Sequence, residues 1–205
     1  MPVDHHRQFL FIHVPKTGGT TILTFLGLWR SQRQADPGTL FGDFAGLDLQ
    51  HLTLVQAAQF LTAEEYARYY KLAFVRNPWD RAVSAALWRT RFPDEGIRDL
   101  RDYVAWAEAV TCRRPRKPSD VHALPQSAFL VGPSGEVELD HIGRFETLAS
   151  DFAAIAPRLS APPGPLPHKL RHDKRGPYRD YYQGDLEARV GRLYAEDVGR
   201  FGYRF

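Results

Sequence analysis

Two short apolar runs, each followed by a polar loop and a helical pattern, dominate the hydrophobic pattern of this 205-residue chain. The first run covers residues 9–14 and the second covers residues 71–75. Both are rich in β-branched and aromatic side chains, which predicts buried strands. After the first loop, apolar residues at positions 22, 23, 25 and 26 predict a helix. Two such strand–loop–helix units predict an α/β fold with a parallel sheet flanked by helices.

Local start and stop signals complete the predicted map of elements. Thr53 with Gln56, and Thr62 with Glu65, form the capping-box pattern that opens a helix. Asn77 is a preferred N-cap residue, and Pro78 suits the first helical position. The other predictions are a loop over 34–47, helices over 99–110 and 185–198, a strand over 137–142, a helix capped by Thr147 that ends at Pro157, and an irregular segment over 161–167. No internal repeat divides the chain, so we predict one domain over residues 1–205.

The loop after the first strand has the composition of a phosphate-binding loop. Residues 15–21 read Pro-Lys-Thr-Gly-Gly-Thr-Thr, between a strand and a helix start. Backbone N–H groups at a helix start lack helical partners and favour an anion, and Lys16 adds a full positive charge. The lysine precedes the glycines, so the order differs from the Walker pattern. The alternative is a glycine-rich turn that merely joins strand to helix.

A second anion-binding pattern follows the second strand. Arg76 comes directly after the strand, and Ser84 lies two turns into the next predicted helix. A guanidinium can bind a phosphate in bidentate fashion, and a hydroxyl can add a further donor. The alternatives are a surface ion pair for Arg76 and a solvated helix position for Ser84.

These motifs together resemble those of sulfotransferases that use 3′-phosphoadenosine-5′-phosphosulfate (PAPS). The likeness is to the carbohydrate branch, related to heparan-sulfate 2-O-sulfotransferases, and to its bacterial relatives. Residues 142–146 and 194–203 also resemble this family. The resemblance implies a P-loop-NTPase-like fold, PAPS as donor and 3′-phosphoadenosine-5′-phosphate (PAP) as product. It also implies that the phosphosulfate is bound by Lys16, Thr17, Gly18, Gly19, Thr20 and Thr21, and the 3′-phosphate by Arg76 and Ser84.

Sulfuryl transfer to a hydroxyl needs a base and a cation that stabilises the leaving phosphate. Residues 50–53 resemble the family segment that carries the catalytic histidine, so we expect His51 to be the base. Imidazole titrates near neutral pH, which suits this role. Lys16 is the expected cation. The alternative for His51 is a hydrogen bond to the start of the next helix, and His13, inside the first strand, is expected to be structural.

Two basic segments are weaker candidates. Residues 168–175 align loosely with a family segment that closes over the nucleotide, which makes Lys169 and Arg171 candidate cofactor contacts. Residues 113–117 could attract an anionic acceptor. A solvated basic loop is the alternative for both segments.

Composition excludes several classes of protein. The formal net charge of +3 is below that of a dedicated nucleic-acid binder, and the single cysteine, Cys112, excludes an intrachain disulfide. No metal-ligand spacing, signal peptide or membrane span is evident. We therefore expect a cytoplasmic enzyme without a metal. Its acceptor should bear a hydroxyl, as a glycan or a small molecule does, and its oligomeric state is not predicted. The alternatives are a magnesium-dependent nucleotide kinase and a non-catalytic protein that binds PAP or another anion.

Overall fold

The computed structural model describes residues 2–29, 36–113, 117–166 and 176–205. The strands are β1 (Val3–Asp4), β2 (Phe9–Ile12), β3 (Asp43–Phe44), β4 (Leu47–Asp48), β5 (Tyr70–Val75) and β6 (His141–Arg144). The α-helices are α1 (Gly19–Phe25), α2 (Leu54–Ala58), α3 (Ala63–Arg68), α4 (Pro78–Arg89), α5 (Leu100–Arg113), α6 (Ser127–Leu130), α7 (Leu148–Ile155), α8 (Leu186–Leu193) and α9 (Ala195–Phe201).

The central sheet has the order β1-β2-β5-β6 and is mostly parallel. β2 pairs with β5 in parallel from Phe9↔Tyr70 to Ile12↔Ala73, and β5 pairs with β6 in parallel up to Val75↔Arg144. Only β1 is antiparallel within this sheet. The expected α/β fold with a parallel sheet flanked by helices is confirmed.

Alternate residues of β2 and β5 build the core of this sheet. Phe9, Phe11, Leu72 and Phe74 point to one face, because side chains alternate along a strand. There they pack against residues of α1 and α7, namely Ile22, Leu23, Phe152 and Ile155. Each buried side chain of this kind contributes about 1.5–3 kcal/mol. The residues of the other face are buried too, which explains the continuous apolar runs of parallel strands.

Gly143 in β6 is required by the packing of Phe74. A Cβ atom at position 143 would lie 2.3 Å from the Phe74 ring, which is shorter than any possible contact between two carbon atoms that are not bonded. Any larger residue would therefore displace this core ring. The requirement gives a structural reason for the glycine in residues 142–146.

The described chain divides into two compact units. One comprises Met1–Val75 with Ala128–Arg171, and the other comprises Arg76–Ser127 with His172–Phe205. The first contains the sheet, α1 and α7, and the second contains α4, α5, α8 and α9. Assignment of the whole chain to one domain remains a prediction.

Most of the local signals act as predicted. Both capping boxes form, because Thr53 and Thr62 accept N–H groups three residues on while Gln56 and Glu65 accept theirs. Asn77 caps α4 by accepting the N–H groups of Trp79 and Asp80. α7 begins after Thr147, but the Thr147 side chain makes no capping hydrogen bond. Its last helical residue is Ile155, two residues before Pro157.

Three predicted elements were wrong in position or extent. The strand predicted at 137–142 lies further along the chain, as β6 (His141–Arg144). Val137 bridges to Val131 across a turn, and pairing with β5 begins only at residue 141. The loop predicted at 34–47 contains the β3–β4 hairpin and two buried residues, Leu40 and Phe41. The helix predicted at 185–198 breaks at Tyr194, which is fully buried and hydrogen-bonds the Tyr103 hydroxyl at 3.2 Å.

Candidate functional site

The loop between β2 and α1 has an unusual backbone conformation. Lys16 has φ of +69°, and Gly18 has φ of +88°. A positive φ is ordinary for glycine but costs a lysine on the order of 1 kcal/mol. The strained residue, Lys16, is the same residue that the sequence motif identifies as the cation of this loop. Such strain persists only where surrounding contacts determine the conformation of the loop.

Packing against neighbouring side chains determines that conformation. Thr17 is fully buried, and its hydroxyl donates to the Val14 carbonyl at 2.9 Å. A Cβ at Gly19 would lie 2.1 Å from the His13 ring, and one at Gly18 would lie 2.9 Å from Leu148. Both glycines are therefore needed for close approach. The interpretation as a mere joining turn does not account for a loop this closely packed.

The predicted donors of this loop do not all face outward. The Thr17 hydroxyl is used inside the protein, and the Thr21 N–H group donates to the Gly18 carbonyl at 3.0 Å. The Thr20 carbonyl oxygen accepts a hydrogen bond from the Thr24 hydroxyl. Lys16 is half-buried and carries the positive charge of the loop. Lys16 is thus the principal electrostatic group that this segment offers an anion.

His51 contacts the residue that follows β2. It ends a short 3-10 turn, Leu49–His51, which Asp48 caps by accepting the Gln50 N–H group at 3.0 Å. Its Nδ1 atom lies 2.8 Å from the His13 carbonyl oxygen, and the two imidazole rings are 4.5 Å apart. The structure thus brings His51 to a residue only three positions before Lys16.

This hydrogen bond determines which nitrogen of the His51 ring can act as a base. A carbonyl oxygen only accepts, so Nδ1 carries the hydrogen. In the neutral ring the basic lone pair then lies on Nε2. The N-cap of α2 is Thr53, which forms a capping box with Gln56, so the alternative role of His51 at a helix start stays untested.

His13 lies one residue beyond β2 and not within it. Its ring is buried, stacks on Phe11 at 5.7 Å and occupies the space beside Gly19. The structure therefore gives His13 a packing role at the loop, in agreement with its predicted structural character.

Arg76 is a buried arginine at the start of the second unit. Its side chain is only 8% exposed, and its Nε donates to Asp80 Oδ2 at 2.6 Å. The alternative of an ion pair is confirmed as far as the pair itself, but the pair is largely removed from water and does not lie at the surface. Asp80 holds the orientation of the guanidinium because a carboxylate fixes an N–H donor in its plane.

Ser84 lies on α4, one helical turn beyond Asp80. Residues four apart share a helix face, so Asp80 and Ser84 are neighbours on α4. Ser84 is half-buried. Asp80 and Ser84 thus lie in the first two turns of α4, and Arg76 lies two residues before this helix begins.

The two basic segments, 168–175 and 113–117, provide less evidence about a binding site. Lys169 and Arg171, like His168 and Lys174, lie outside the described residues. In the other segment, residues 114–116 also lie outside them. The Arg113 guanidinium pairs with the almost fully buried Asp120 at 3.1 Å, and the Lys117 N–H group donates to the same carboxylate at 3.2 Å. The ends of the 113–117 segment are therefore anchored to Asp120.

Sequence reasoning missed two buried polar residues, Gln126 and Asp197. The Gln126 side chain accepts the Arg76 N–H group and donates to the Arg76 carbonyl, both at 2.8 Å. Asp197 accepts the N–H groups of Gln126 and Ser127, also at 2.8 Å. Asp197 belongs to the family-like segment 194–203, which was the one available signal. Nothing local marks Gln126, because its partner Arg76 is 50 residues away.

Comparison with known proteins gives one family. The model of the sulfotransferase family matches residues 1–204. No curated protein and no solved structure matches the chain significantly. Within the described ranges, the structure contains no cluster of three metal-binding side chains, and none of its helices is long and apolar enough to cross a membrane.

Proposed function

Since the chain belongs to the sulfotransferase family, we propose that it transfers a sulfuryl group from PAPS to a hydroxyl of a carbohydrate acceptor. The observation that carries this proposal is the hydrogen bond from His51 Nδ1 to the His13 carbonyl oxygen. It joins a histidine in the tautomer of a general base to the segment that bears Lys16.

His51 would supply the base. Its Nε2 lone pair takes the hydroxyl proton as the acceptor oxygen attacks the sulfur atom. The Nδ1–H···O=C bond to His13 holds the ring and stabilises the imidazolium that forms, because the carbonyl dipole faces the new positive charge. A positioned base of this kind contributes about a hundredfold or more to the rate.

Lys16 would supply the cation for the leaving group. PAPS, when bound, supplies the sulfuryl group on a good leaving group, the phosphate of PAP. The ammonium of Lys16 neutralises the negative charge that develops there as the bond to sulfur breaks. The strained backbone at Lys16 supports this role, since residues in sparsely populated conformations cluster at functional sites.

Arg76 and Ser84 would bind the 3′-phosphate of the same nucleotide. PAPS carries phosphate groups at two positions of its ribose, so it requires two cationic binding groups. Lys16 follows β2 and Arg76 follows β5, and α/β proteins bind ligands outside the carboxyl ends of their strands. Arg76 also fits a phosphate because it is buried, where charge-assisted hydrogen bonds are strongest.

The carbohydrate acceptor rests on the likeness of residues 50–53 to the glycan branch of the family. A nucleotide kinase is disfavoured, because Arg76 stands where a magnesium-binding aspartate would be expected after the second strand. A protein that binds PAP without turnover is the remaining competitor.

Calorimetric titration with PAP, with ATP and magnesium as the comparison ligand, tests the donor. We expect PAP to bind and Arg76→Ala to weaken it by at least about tenfold. Arg98→Ala is the matched control, because Arg98 forms the same Arg–Asp pair four residues apart, with Asp102, but at the surface. Binding of ATP with magnesium, without binding of PAP, would overturn the proposal.

Transfer of labelled sulfate from PAPS to desulfated glycans tests the chemistry. We expect His51→Ala to bind PAP as the wild type does and to transfer about a hundredfold more slowly. PAP binding without transfer by the wild type to any glycan or small hydroxyl compound would favour the non-catalytic binder. Wild-type turnover by His51→Ala would show that His51 is not the base.

A further inference from the structure

A buried hydrogen-bond network connects α9 to the backbone of Arg76. The Asp197 side chain lies in the first turn of α9 and is fully buried. Its Oδ2 accepts the Gln126 N–H group and its Oδ1 accepts the Ser127 N–H group. The Gln126 side chain, also fully buried, then bonds to both backbone polar groups of Arg76. These residues are called the Asp197–Gln126 network below.

The network starts where strand pairing stops. The last paired residue of β5 is Val75, opposite Arg144 in β6. Arg76 comes one residue later, past the ladder that would otherwise satisfy its N–H and carbonyl groups. The Gln126 amide takes the place of a neighbouring strand, with one acceptor and one donor at 2.8 Å. Both backbone polar groups of Arg76 are thereby hydrogen-bonded although the residue lies beyond the strand.

Burying a carboxylate and an amide is costly unless every bond is made. Both oxygens of Asp197 and both ends of the Gln126 amide are used, so the cost is offset. The bonds of the Gln126 side chain converge on a single residue, and that residue carries the guanidinium assigned to the 3′-phosphate. Asp80 holds the same residue from the side-chain end, at Nε.

We infer that Gln126 and Asp197 are positioning residues that pre-organise Arg76 for the 3′-phosphate of the donor. The inference rests on the proposed function. Both side chains are fully buried, so we expect neither to contact the ligand. With the backbone held by Gln126 and the Nε group held by Asp80, the Arg76 guanidinium loses little freedom when a phosphate binds, which raises affinity.

Gln126→Met is the test variant, since methionine has a similar volume and cannot make either hydrogen bond. We expect it to weaken PAP binding and raise the donor KM by about tenfold, the equivalent of one good hydrogen bond. The acceptor KM should stay unchanged. In the protein without ligand, the Arg76 amide should exchange its hydrogen at least about tenfold faster, while the amides of Phe74 and Val75 in β5 keep their protection.

Two control variants separate positioning from general stability. Tyr194→Phe removes an equally buried hydroxyl whose hydrogen bond goes to Tyr103 and not to a member of the Asp197–Gln126 network. We expect it to lower the melting temperature and leave PAP affinity within about twofold. Ser127→Ala removes a hydroxyl that has no hydrogen-bond partner among the described residues, and it keeps the N–H group that Asp197 accepts. It should change neither quantity.

The outcomes are distinguishable. Equal loss of PAP affinity in Gln126→Met and Tyr194→Phe, in proportion to their melting temperatures, would reduce the network to a structural role. An Arg76 amide that stays protected in Gln126→Met would also overturn the inference. If the wild type does not bind PAP, the proposed function fails first and the ligand assigned to the network fails with it, whatever the exchange data show.

Discussion

The segments after β2 and after β5 each present a cation, but they hold it by different means. Lys16 is held by its own backbone, at φ of +69°, in a loop shaped by close packing around two glycines. Arg76 is held by side chains, with Asp80 on its guanidinium and Gln126 on its backbone. The position of Lys16 depends on the backbone conformation of its own loop and on the space that the two glycines leave for neighbouring side chains. The second depends on partners from elsewhere in the chain.

This difference predicts different effects on stability for two substitutions that should both impair activity. Replacing Lys16 by glycine relieves a backbone strain, because Lys16 has φ of +69°. Removing Arg76 breaks an ion pair in which the Asp80 side chain is only 18% exposed, and loss of one partner of such a largely buried pair is destabilising.

The largest expected effect is that of Lys16→Gly on transfer. Loss of the cation should slow transfer by about a hundredfold or more. Lys16→Gly should also have a free energy of unfolding about 0.5–1 kcal/mol above that of Lys16→Ala, because glycine adopts a positive φ without steric cost. Denaturant unfolding and the sulfate transfer assay measure the two effects. Lys16→Ala, which removes the charge and keeps the strain, is the control. If Lys16→Gly is less stable than Lys16→Ala, the strain does not exist.

Arg76→Ala should lower the free energy of unfolding by about 1–3 kcal/mol. Arg98→Ala should leave the melting temperature almost unchanged, because exposed pairs contribute little. Side-chain and backbone hydrogen bonds from Arg98 hold the pKa of Asp102 below its usual range. A carboxyl group with a lowered pKa stabilises the fold above its usual pKa, and this effect is lost as the pH falls through the lowered value.

The pKa of Asp102 therefore reports whether the ion pair between Arg98 and Asp102 is formed. In Arg98→Ala its pKa should rise towards the ordinary value, which an NMR titration of the carboxyl carbon would show. Equal destabilisation by Arg76→Ala and Arg98→Ala would contradict the distinction between the buried and the exposed pair.

Gly19→Ala tests the packing that shapes the Lys16 loop. The added Cβ would overlap the His13 ring, so the ring or the loop must move, at a cost of about 1–3 kcal/mol. Because His51 is bonded to the His13 carbonyl, transfer should fall as well. Gly199→Ala in α9 is the control, since its Cβ would meet nothing within 4 Å and alanine favours helix. If thermal unfolding gives Gly19→Ala and Gly199→Ala the same melting temperature, the loop can accommodate the added Cβ atom and the packing argument is wrong.

The sequence by itself determined most of the elements, and it marked their boundaries where a local cap does so. The caps at Thr53, Thr62 and Asn77 were predictable because each bonds to backbone two or three residues away. The buried strands were predictable because parallel strands between two covered faces require continuous apolar runs. The candidate cations and the candidate base were identified from motifs whose residues lie close together in the chain.

Only the tertiary structure decided how those residues are held. The Lys16 strain, the His51 tautomer and the Gln126 contacts with Arg76 each depend on groups that packing brings together. His51 and His13 are 38 residues apart, and Arg76 and Gln126 are 50 apart. The break at Tyr194 has the same origin, because a fully buried tyrosine bonded to Tyr103 overrides a continuous helical pattern. A local pattern encodes bonds within a turn or two, whereas bonds across the fold exist only once the chain has packed.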